Sequence, residues 1–288
     1  MDNNIFSRKD INIISEQLQL YALEGLTKYL TSKNIIFQGG SSLHFVWLSP
    51  RYSEDLDFFV SNDITNEKIN NLFSNIFKYL KSIYILNKNV SLGFKSNIKN
   101  NIYEYNIYYT ELNKRNKIRL KIELYLIKKE YIKEHTSQLE YIKNVFNLNT
   151  KPYIYTASVE SIFADKLNAL GTRQYIKYRD FFDIYFLSKA YNINLNNKKL
   201  ISAIKLNHKI YNLRKNAYKD NFTKIVEEIT NNNKIIKNNL LNDLQKWLSK
   251  EQFGIYKKDV DNILSFVKKT LISYNNIKLN NNNKGLIL

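Results

Sequence analysis

The sequence predicts an α+β protein in which a β-rich first half is followed by a helical domain. A short apolar segment, 35–38, leads into a glycine turn, and a second strand-like segment follows around Asp55 and Asp57. Between residues 118 and 126 apolar and polar side chains alternate strictly, which is typical of a strand with one buried face. After about residue 157 the apolar residues recur at helical spacing instead.

Two helices are predicted in the first half. The segment from Ser7 to Asp10 resembles a capping box, in which side chains bond the first free N–H groups of a helix. Helical spacing then continues, and we expect this helix to end near Asn34. Residues 69 to 80 place their apolar side chains on one face and form the second predicted helix. The asparagine runs 231–233 and 280–283 are predicted to be loop or tail.

The glycine turn at Gly39-Gly40 and the Asp-x-Asp segment indicate chemistry. Glycine has no Cβ, so the backbone of this turn can approach a bulky anion, and a helix starting there directs its positive end at phosphate. Residues two apart on a strand point to the same side, so Asp55 and Asp57 project together. Two adjacent carboxylates near a triphosphate favour a hard cation, Mg²⁺ in the first place with Mn²⁺ as the alternative.

Composition limits the class of protein. The 288 residues carry a net charge of +18, and positive charge is denser in the C-terminal third. A basic surface suits RNA, DNA or an acidic protein as partner. The charge also fits a general enrichment of the chain in Asn, Lys, Ile and Tyr. The absence of cysteine excludes disulfides and thiolate metal sites. We find no signal peptide and no run of 18 apolar residues, so we expect a cytoplasmic protein that does not enter a membrane.

The segments 39–43 and 49–58, read together, resemble the first motif of a known enzyme family. Gly-Gly-Ser-Ser-Leu followed by Ser-Pro-Arg-Tyr-Ser-Glu-Asp-Leu-Asp-Phe is similar to that motif in the AbiEii/AbiGii-type nucleotidyltransferase toxins, which include the MenT group. These toxins belong to the polymerase-β-like nucleotidyltransferase superfamily. The spacing between Ser41 and Asp55 is longer than the common superfamily form and fits the AbiEii branch.

A second signature of the family is matched farther along the chain. The helix around Lys166, the following Arg173 and the Arg-Asp-x-x-Asp segment with Asp180 and Asp183 resemble it. The resemblance implies that Lys166 pairs with triphosphate oxygens and that Asp180 or Asp183 orients Lys166 or Arg173. Which of the two aspartates acts is left open, although their spacing puts both on one helix face.

The resemblance also assigns further site residues. Asp55 and Asp57 would hold the metal, and Glu123 on a neighbouring strand is the candidate third ligand, where family members often carry Asp. The remaining implied nucleotide-binding residues are Gly39, Gly40, Ser41, Ser42, Arg51, Ser53 and Arg173.

These implications form one functional hypothesis. Residues 1–150 would be a polymerase-β-like core with a mixed sheet and an N-terminal helix, and residues 151–288 a helical domain that contributes Lys and Asp to the site. The enzyme would move an NMP from an NTP to a hydroxyl acceptor, a tRNA 3′ end in the first place, as the toxin of a toxin–antitoxin or abortive-infection system. A cognate antitoxin is the implied protein partner. The alternatives are NMP transfer to a protein or small molecule, and a catalytically silent basic RNA-binding protein.

Overall fold

A computed structural model describes residues 4–29, 33–99, 101–143, 152–213 and 218–283. The chain divides into two compact units. The first comprises Met1–Leu48 and Tyr52–Ala157, and the second comprises Ser49–Arg51 and Ser158–Leu288. The predicted domain boundary at residues 150 and 151 lies outside the described residues.

The first unit combines strands with four helices in its described part. Its elements in chain order are α1 Arg8–Tyr29, β1 Ile35–Gln38, α2 Gly39–Phe45, β2 Asp55–Ser61, α3 Asn66–Tyr84, β3 Val90–Lys99, β4 Ile102–Glu111, β5 Ile118–Ile127, α4 Lys129–Glu134, β6 Ser137–Tyr141 and β7 Tyr153–Ala157.

The seven strands form one mixed sheet in the order β3-β4-β5-β2-β1-β7-β6. β2 runs parallel to β5, and β1 runs parallel to β7, whereas the other neighbouring pairs are antiparallel. The sheet and its helices confirm the predicted α+β class.

One face of the sheet forms the core of this unit. On β2, Leu56 and Phe58 are buried while Asp55 and Asp57 are only half-buried. The buried face continues across β4, where Tyr105 stacks on Phe73 of α3 with ring centroids 3.5 Å apart. Because α1 and α3 pack on this side, the alternation places the two aspartates on the opposite face of the sheet.

The second unit is helical in its described part. Its elements are α5 Val159–Thr172, α6 Tyr178–Tyr191, α7 Lys198–Ile210, α8 Lys219–Asn231, α9 Asn233–Trp247, α10 Lys250–Tyr256, a 3₁₀ turn Lys257–Asp259 and α11 Val260–Asn283.

Several sequence predictions can be compared with these elements. The capping box is confirmed, because Asp10 N donates to Ser7 Oγ at 3.2 Å and Ser7 N donates to Asp10 Oδ2 at 3.1 Å. The predicted end of the first helix near Asn34 is wrong, since α1 ends at Tyr29. The prediction of a tail at 280–283 is also wrong, since these residues continue α11.

Candidate active site

The glycine turn packs directly against the second aspartate. Gly39 has a φ of +76°, a backbone conformation that favours glycine. A Cβ placed on Gly39 would lie 2.5 Å from Asp57 Oδ2, closer than real Cβ atoms approach other heavy atoms. A side chain at position 39 would therefore displace the Asp57 carboxylate and strain the backbone, which favours glycine there.

The two serines of the turn are structural in this arrangement. Both are fully buried at the start of α2. Ser41 Oγ donates to the backbone carbonyl of Asp55, and Ser42 Oγ lies 2.6 Å from Thr156 Oγ1 of β7. Their hydroxyls thus tie α2 to β2 and β7, fixing the turn relative to the Asp-x-Asp strand.

The parallel register of β2 and β5 assembles a charged face. Asp55 pairs with Lys121 and Asp57 pairs with Glu123. The Lys121 ammonium lies 3.3 Å from Asp55 Oδ2 and 3.1 Å from Glu123 Oε2. Although burial lowers the pKa of Lys121, the two carboxylates outweigh it and hold the pKa above its ordinary value. Lys121 is therefore a stable cation between two of the predicted metal ligands.

The carboxylate oxygens on this face fit a hard divalent cation. The Lys121 ammonium now supplies the positive charge between Asp55 and Glu123. Within the described ranges, however, no group of three or more His, Asp or Glu side chains is arranged to hold a metal ion. Mg²⁺ commonly binds through one or two carboxylates, with substrate phosphates and water completing its shell. Asp55 and Asp57 suit that mode, and the role of Glu123 as third ligand stays a prediction.

The second unit contains a buried ion network of Arg51, Lys166, Arg173, Asp180 and Asp183. Arg51 donates from Nε and Nη2 to the two oxygens of Asp183, each at 2.8 Å. Lys166 Nζ lies 2.7 Å from Asp183 Oδ2 and 2.9 Å from Asp180 Oδ1. Arg173 Nη1 donates to the other oxygen of Asp180. Cations and carboxylates thus alternate along the network.

Charge pairing in this network outweighs the cost of burial. Burial alone would raise the pKa of Asp183, but Arg51 and Lys166 hold that pKa at about 2. Burial would likewise lower the pKa of Lys166, yet Asp180 and Asp183 keep it above its ordinary value. Arg51, Lys166 and Asp183 are therefore all charged at neutral pH. Burying one of these charges without its partner would cost several kcal/mol.

The two arginines that were predicted to bind the nucleotide differ in their exposure to solvent. Arg51 is 1% exposed and is paired with Asp183, whereas the Arg173 side chain is 38% exposed at the outer end of the network. Ser53 is half-buried, and its carbonyl accepts a 2.8 Å hydrogen bond from Gln19 Nε2 of α1. Nucleotide binding by these three residues stays a prediction.

Comparison with known proteins decides the family. A family model described as "Nucleotidyl transferase AbiEii toxin, Type IV TA system" matches residues 21–260. The chain belongs to the AbiEii nucleotidyltransferase toxin family. This AbiEii protein is therefore a nucleotidyltransferase, which takes a nucleoside triphosphate as substrate, and its family acts as the toxin of toxin–antitoxin systems.

Solved structures of low identity also resemble the AbiEii chain. Helicobacter pylori JHP933 is 16% identical with a TM-score of 0.48, covering 95% of this chain and 98% of its own. An H. pylori protein described as a candidate nucleotidyltransferase is 17% identical with a TM-score of 0.46, covering 91% and 97%. No curated protein matches the chain. None of the helices in the described ranges is both long and apolar enough to cross a membrane.

Lys121 is the charged neighbour of the AbiEii aspartates that sequence reasoning missed. It was visible only as one polar position on the outer face of an alternating strand. Its place beside Asp55 depends on the parallel pairing of β2 with β5, 66 residues farther along the chain. The repeated spacing, Asp-x-Asp on one strand and Lys-x-Glu on the other, is the signal that could have suggested it.

Proposed function

We propose that this AbiEii enzyme transfers an NMP from an NTP to a hydroxyl of an RNA acceptor, with the tRNA 3′ end as the acceptor class. The observation that supports the chemistry best is the contact between the glycine turn and the Asp-x-Asp strand. Gly39 leaves just enough room for Asp57, and Ser41 bonds the Asp55 backbone. The first unit thereby holds the two carboxylates close to a turn whose backbone a phosphate can approach.

The proposed reaction is a displacement at the α-phosphorus. The acceptor hydroxyl loses its proton to solvent and its oxygen forms a bond to this phosphorus. The bond from the α-phosphorus to the bridging oxygen of the β-phosphate breaks, and pyrophosphate leaves. Asp55 and Asp57 would hold Mg²⁺, with Mn²⁺ as a substitute. When bound, the metal would neutralise developing charge and help activate the attacking oxygen. These carboxylates are acceptor-only groups, so they bind a cation without donating a competing proton.

Phosphate binding is assigned to backbone and lysine groups. Ser41 and Ser42 are fully buried with their hydroxyls engaged, so we assign phosphate contacts to the backbone N–H groups of the Gly39-Gly40 turn. Lys166 would supply a compact positive charge to the triphosphate. An ammonium has three N–H donors, and Asp180 and Asp183 engage two of them, which fits the two aspartates as orienting groups.

The choice of RNA as acceptor rests on charge. The net charge of +18 is denser in the C-terminal third, within the helical unit, than in the rest of the chain. A basic surface attracts the RNA backbone by releasing bound counterions. An antitoxin encoded with this toxin is the proposed protein partner, and the cytoplasm is the proposed location because NTPs and tRNA are found there.

The test is a labelled transfer assay with separate acceptor pools. Each of the four α-labelled NTPs is incubated with the protein and Mg²⁺, together with total tRNA, total protein or no added acceptor. We expect the label to appear on tRNA and unlabelled pyrophosphate to be released. Label on protein alone, or on a small molecule alone, would contradict the RNA acceptor while keeping the transfer chemistry. No label in any pool would contradict the proposed activity.

A further inference from the structure

A pocket in the helical unit shares Arg173 with the ion network, and its other lining residues take no part in the chemistry described so far. It has a volume of about 270 Å³ and is lined by the segment after α5, the start of α6 and one face of α8. We name it the Tyr175 pocket; its most distinctive members are Arg173, Tyr175, Tyr178, Asn221, Lys224 and Ile225.

Tyr175 is the most unusual residue of this pocket. It is 66% exposed, although burying a ring of this size is normally favourable. Tyr178, by contrast, is held in place, because its hydroxyl accepts from Asn239 at 3.2 Å and its ring meets Phe181 edge-on. The pocket thus has one fixed aromatic wall and one aromatic ring open to solvent.

The backbone beneath Tyr175 is also held. Asn221 Nδ2 donates to the carbonyl of Gly171 at 2.9 Å and to the carbonyl of Arg173 at 3.2 Å. Asn221 and Ile225 are one turn apart on α8, so the helix supplies both this anchor and an apolar floor. An exposed ring on an anchored segment loses little conformational freedom when a ligand stacks on it.

Charge in the pocket favours an anionic ligand. Arg173 and Lys224 contribute two positive charges, and Glu228 contributes one negative charge. The Arg173 side chain is 38% exposed even while it bonds Asp180, and Lys224 is exposed on α8. A guanidinium and an ammonium beside an accessible aromatic ring are the groups that recognise a base and its phosphate in single-stranded nucleic acid.

We propose that the Tyr175 pocket binds one unpaired nucleotide of the RNA acceptor, with the base on Tyr175 and the phosphate near Arg173 and Lys224. Its volume lies just below the roughly 300 Å³ at which pockets for drug-sized ligands begin, which suits a single nucleotide. This inference rests on the proposed function only in taking RNA as the acceptor. It assigns a site and a recognition mode to that RNA.

The test measures binding of a short fluorescent single-stranded RNA by anisotropy, without NTP. Tyr175→Ala should weaken binding by about 5- to 150-fold, since stacking on an aromatic ring contributes about 1–3 kcal/mol per base. Tyr175→Phe should keep most of the affinity. Lys224→Ala should reduce the slope of log affinity against log salt by about 0.7, the value for one single-strand phosphate contact.

Matched controls remove an exposed tyrosine and an exposed lysine from outside the pocket. Tyr153 on β7 is 52% exposed, and Lys205 is an exposed residue of α7. Tyr153→Ala and Lys205→Ala should bind the RNA like the unmodified protein. Thermal unfolding of every variant should match that of the parent, because these side chains are exposed.

Three results would overturn the proposal. They are unchanged RNA affinity in Tyr175→Ala, a loss of NTP affinity in place of RNA affinity, and no RNA binding by the unmodified protein. NMP transfer is measured in parallel, so the two proposals can fail separately. Transfer to RNA with a silent Tyr175→Ala would contradict the pocket alone. Tyr175-dependent RNA binding without any transfer would contradict the proposed function alone.

Discussion

Arg51 and Asp183 are 132 residues apart in the chain, yet the Arg51 guanidinium donates two 2.8 Å hydrogen bonds to the Asp183 carboxylate. This bidentate geometry matches a planar fork to two carboxylate oxygens and is among the strongest polar contacts in proteins. It explains why Ser49–Arg51 belongs to the helical unit although the residues on either side belong to the first unit.

Arg51→Met is therefore expected to destabilise the protein rather than act on nucleotide binding alone. Removing one partner of a buried ion pair costs about 3–5 kcal/mol, and the low end applies because Lys166 still neutralises part of the Asp183 charge. Urea unfolding measures this loss. Lys237→Ala breaks a surface pair with Asp261 and should cost only about 0–1 kcal/mol. Equal stability of the two variants would refute a structural role for Arg51.

Gly39→Ala should lower both activity and stability. The added methyl group would meet Asp57 Oδ2 at 2.5 Å, and the positive φ adds about 1–2 kcal/mol of backbone strain. We expect the Asp57 carboxylate to move, with loss of NMP transfer. Gly254→Ala is the control, since a Cβ at Gly254 meets no described atom within 4 Å. That helical substitution should be neutral or stabilising by about 0.5–1 kcal/mol. Full activity in Gly39→Ala would contradict the close approach.

Lys121→Met should increase the affinity for a divalent cation. The Lys121 ammonium now lies between Asp55 and Glu123, so removing it eliminates a competing positive charge. Near a protein surface such a charge is worth about 1–4 kcal/mol at contact distance, or about 5- to 850-fold in affinity. Mn²⁺ binding followed by electron paramagnetic resonance measures the change without any turnover.

Arg119→Met provides the control for Lys121. Arg119 is an exposed residue on the same side of β5, and its removal changes net charge by the same amount. Its effect on Mn²⁺ affinity should be small because exposed charges are screened by solvent. Weaker Mn²⁺ binding in Lys121→Met, or equal effects of both substitutions, would show that Lys121 does not compete with the metal.

Asp165 should make stability depend on pH. Burial raises its pKa from the ordinary 3.8 to about 7, against smaller opposing effects of Asn207 and Lys166. Between these values the folded state keeps a proton that the unfolded chain has lost. Stability from this group is therefore complete below pH 3.8 and falls as pH rises toward 7, by at most about 1.4 kcal/mol per pH unit.

Relative to the parent, Asp165→Asn should make the slope of stability against pH more positive by up to about 1.4 kcal/mol per pH unit, which urea unfolding across pH 4 to 7 measures. The comparison is made with the parent because burial lowers the pKa of His135 to about 4, and that group contributes a slope of opposite sign in both proteins. Asp220, exposed in the first turn of α8, is the control, and Asp220→Asn should leave the slope in place. Persistence of the full slope in Asp165→Asn would mean that another group causes it.

Local patterns predicted much of the first unit. Alternation at 118–126 corresponds to β5, and the apolar segment 35–38 corresponds to β1. In contrast, β6 and β7 were not predicted, because strands of only five residues give a weak alternating signal. Their pairing with each other and with β1 is non-local, so it could not be derived from neighbouring residues.

At the candidate site, too, local residue patterns could be predicted from the sequence and contacts between distant segments could not. The residue types in the Gly39 turn and at Asp55 and Asp57 were sufficient to suggest phosphate and metal chemistry. Their neighbours were not predictable, since the register that brings Lys121 beside Asp55 is set by pairing of distant strands. Likewise Arg51 follows the glycine turn closely in sequence, but its partner Asp183 lies on α6.

The aspartates of β2 are the groups on which the proposed NMP transfer to RNA depends. The most direct measurement is transfer of label from α-labelled NTP to tRNA by the unmodified protein and by Asp57→Asn at equal folded fraction. We predict label on tRNA with the unmodified protein and less than about a tenth of that rate with Asp57→Asn, since each 1.36 kcal/mol of lost stabilisation is tenfold in rate. A variant that keeps more than about a tenth of the rate would contradict this role. Transfer of label to tRNA from γ-labelled NTP in a parallel reaction, with none from α-labelled NTP, would also contradict it.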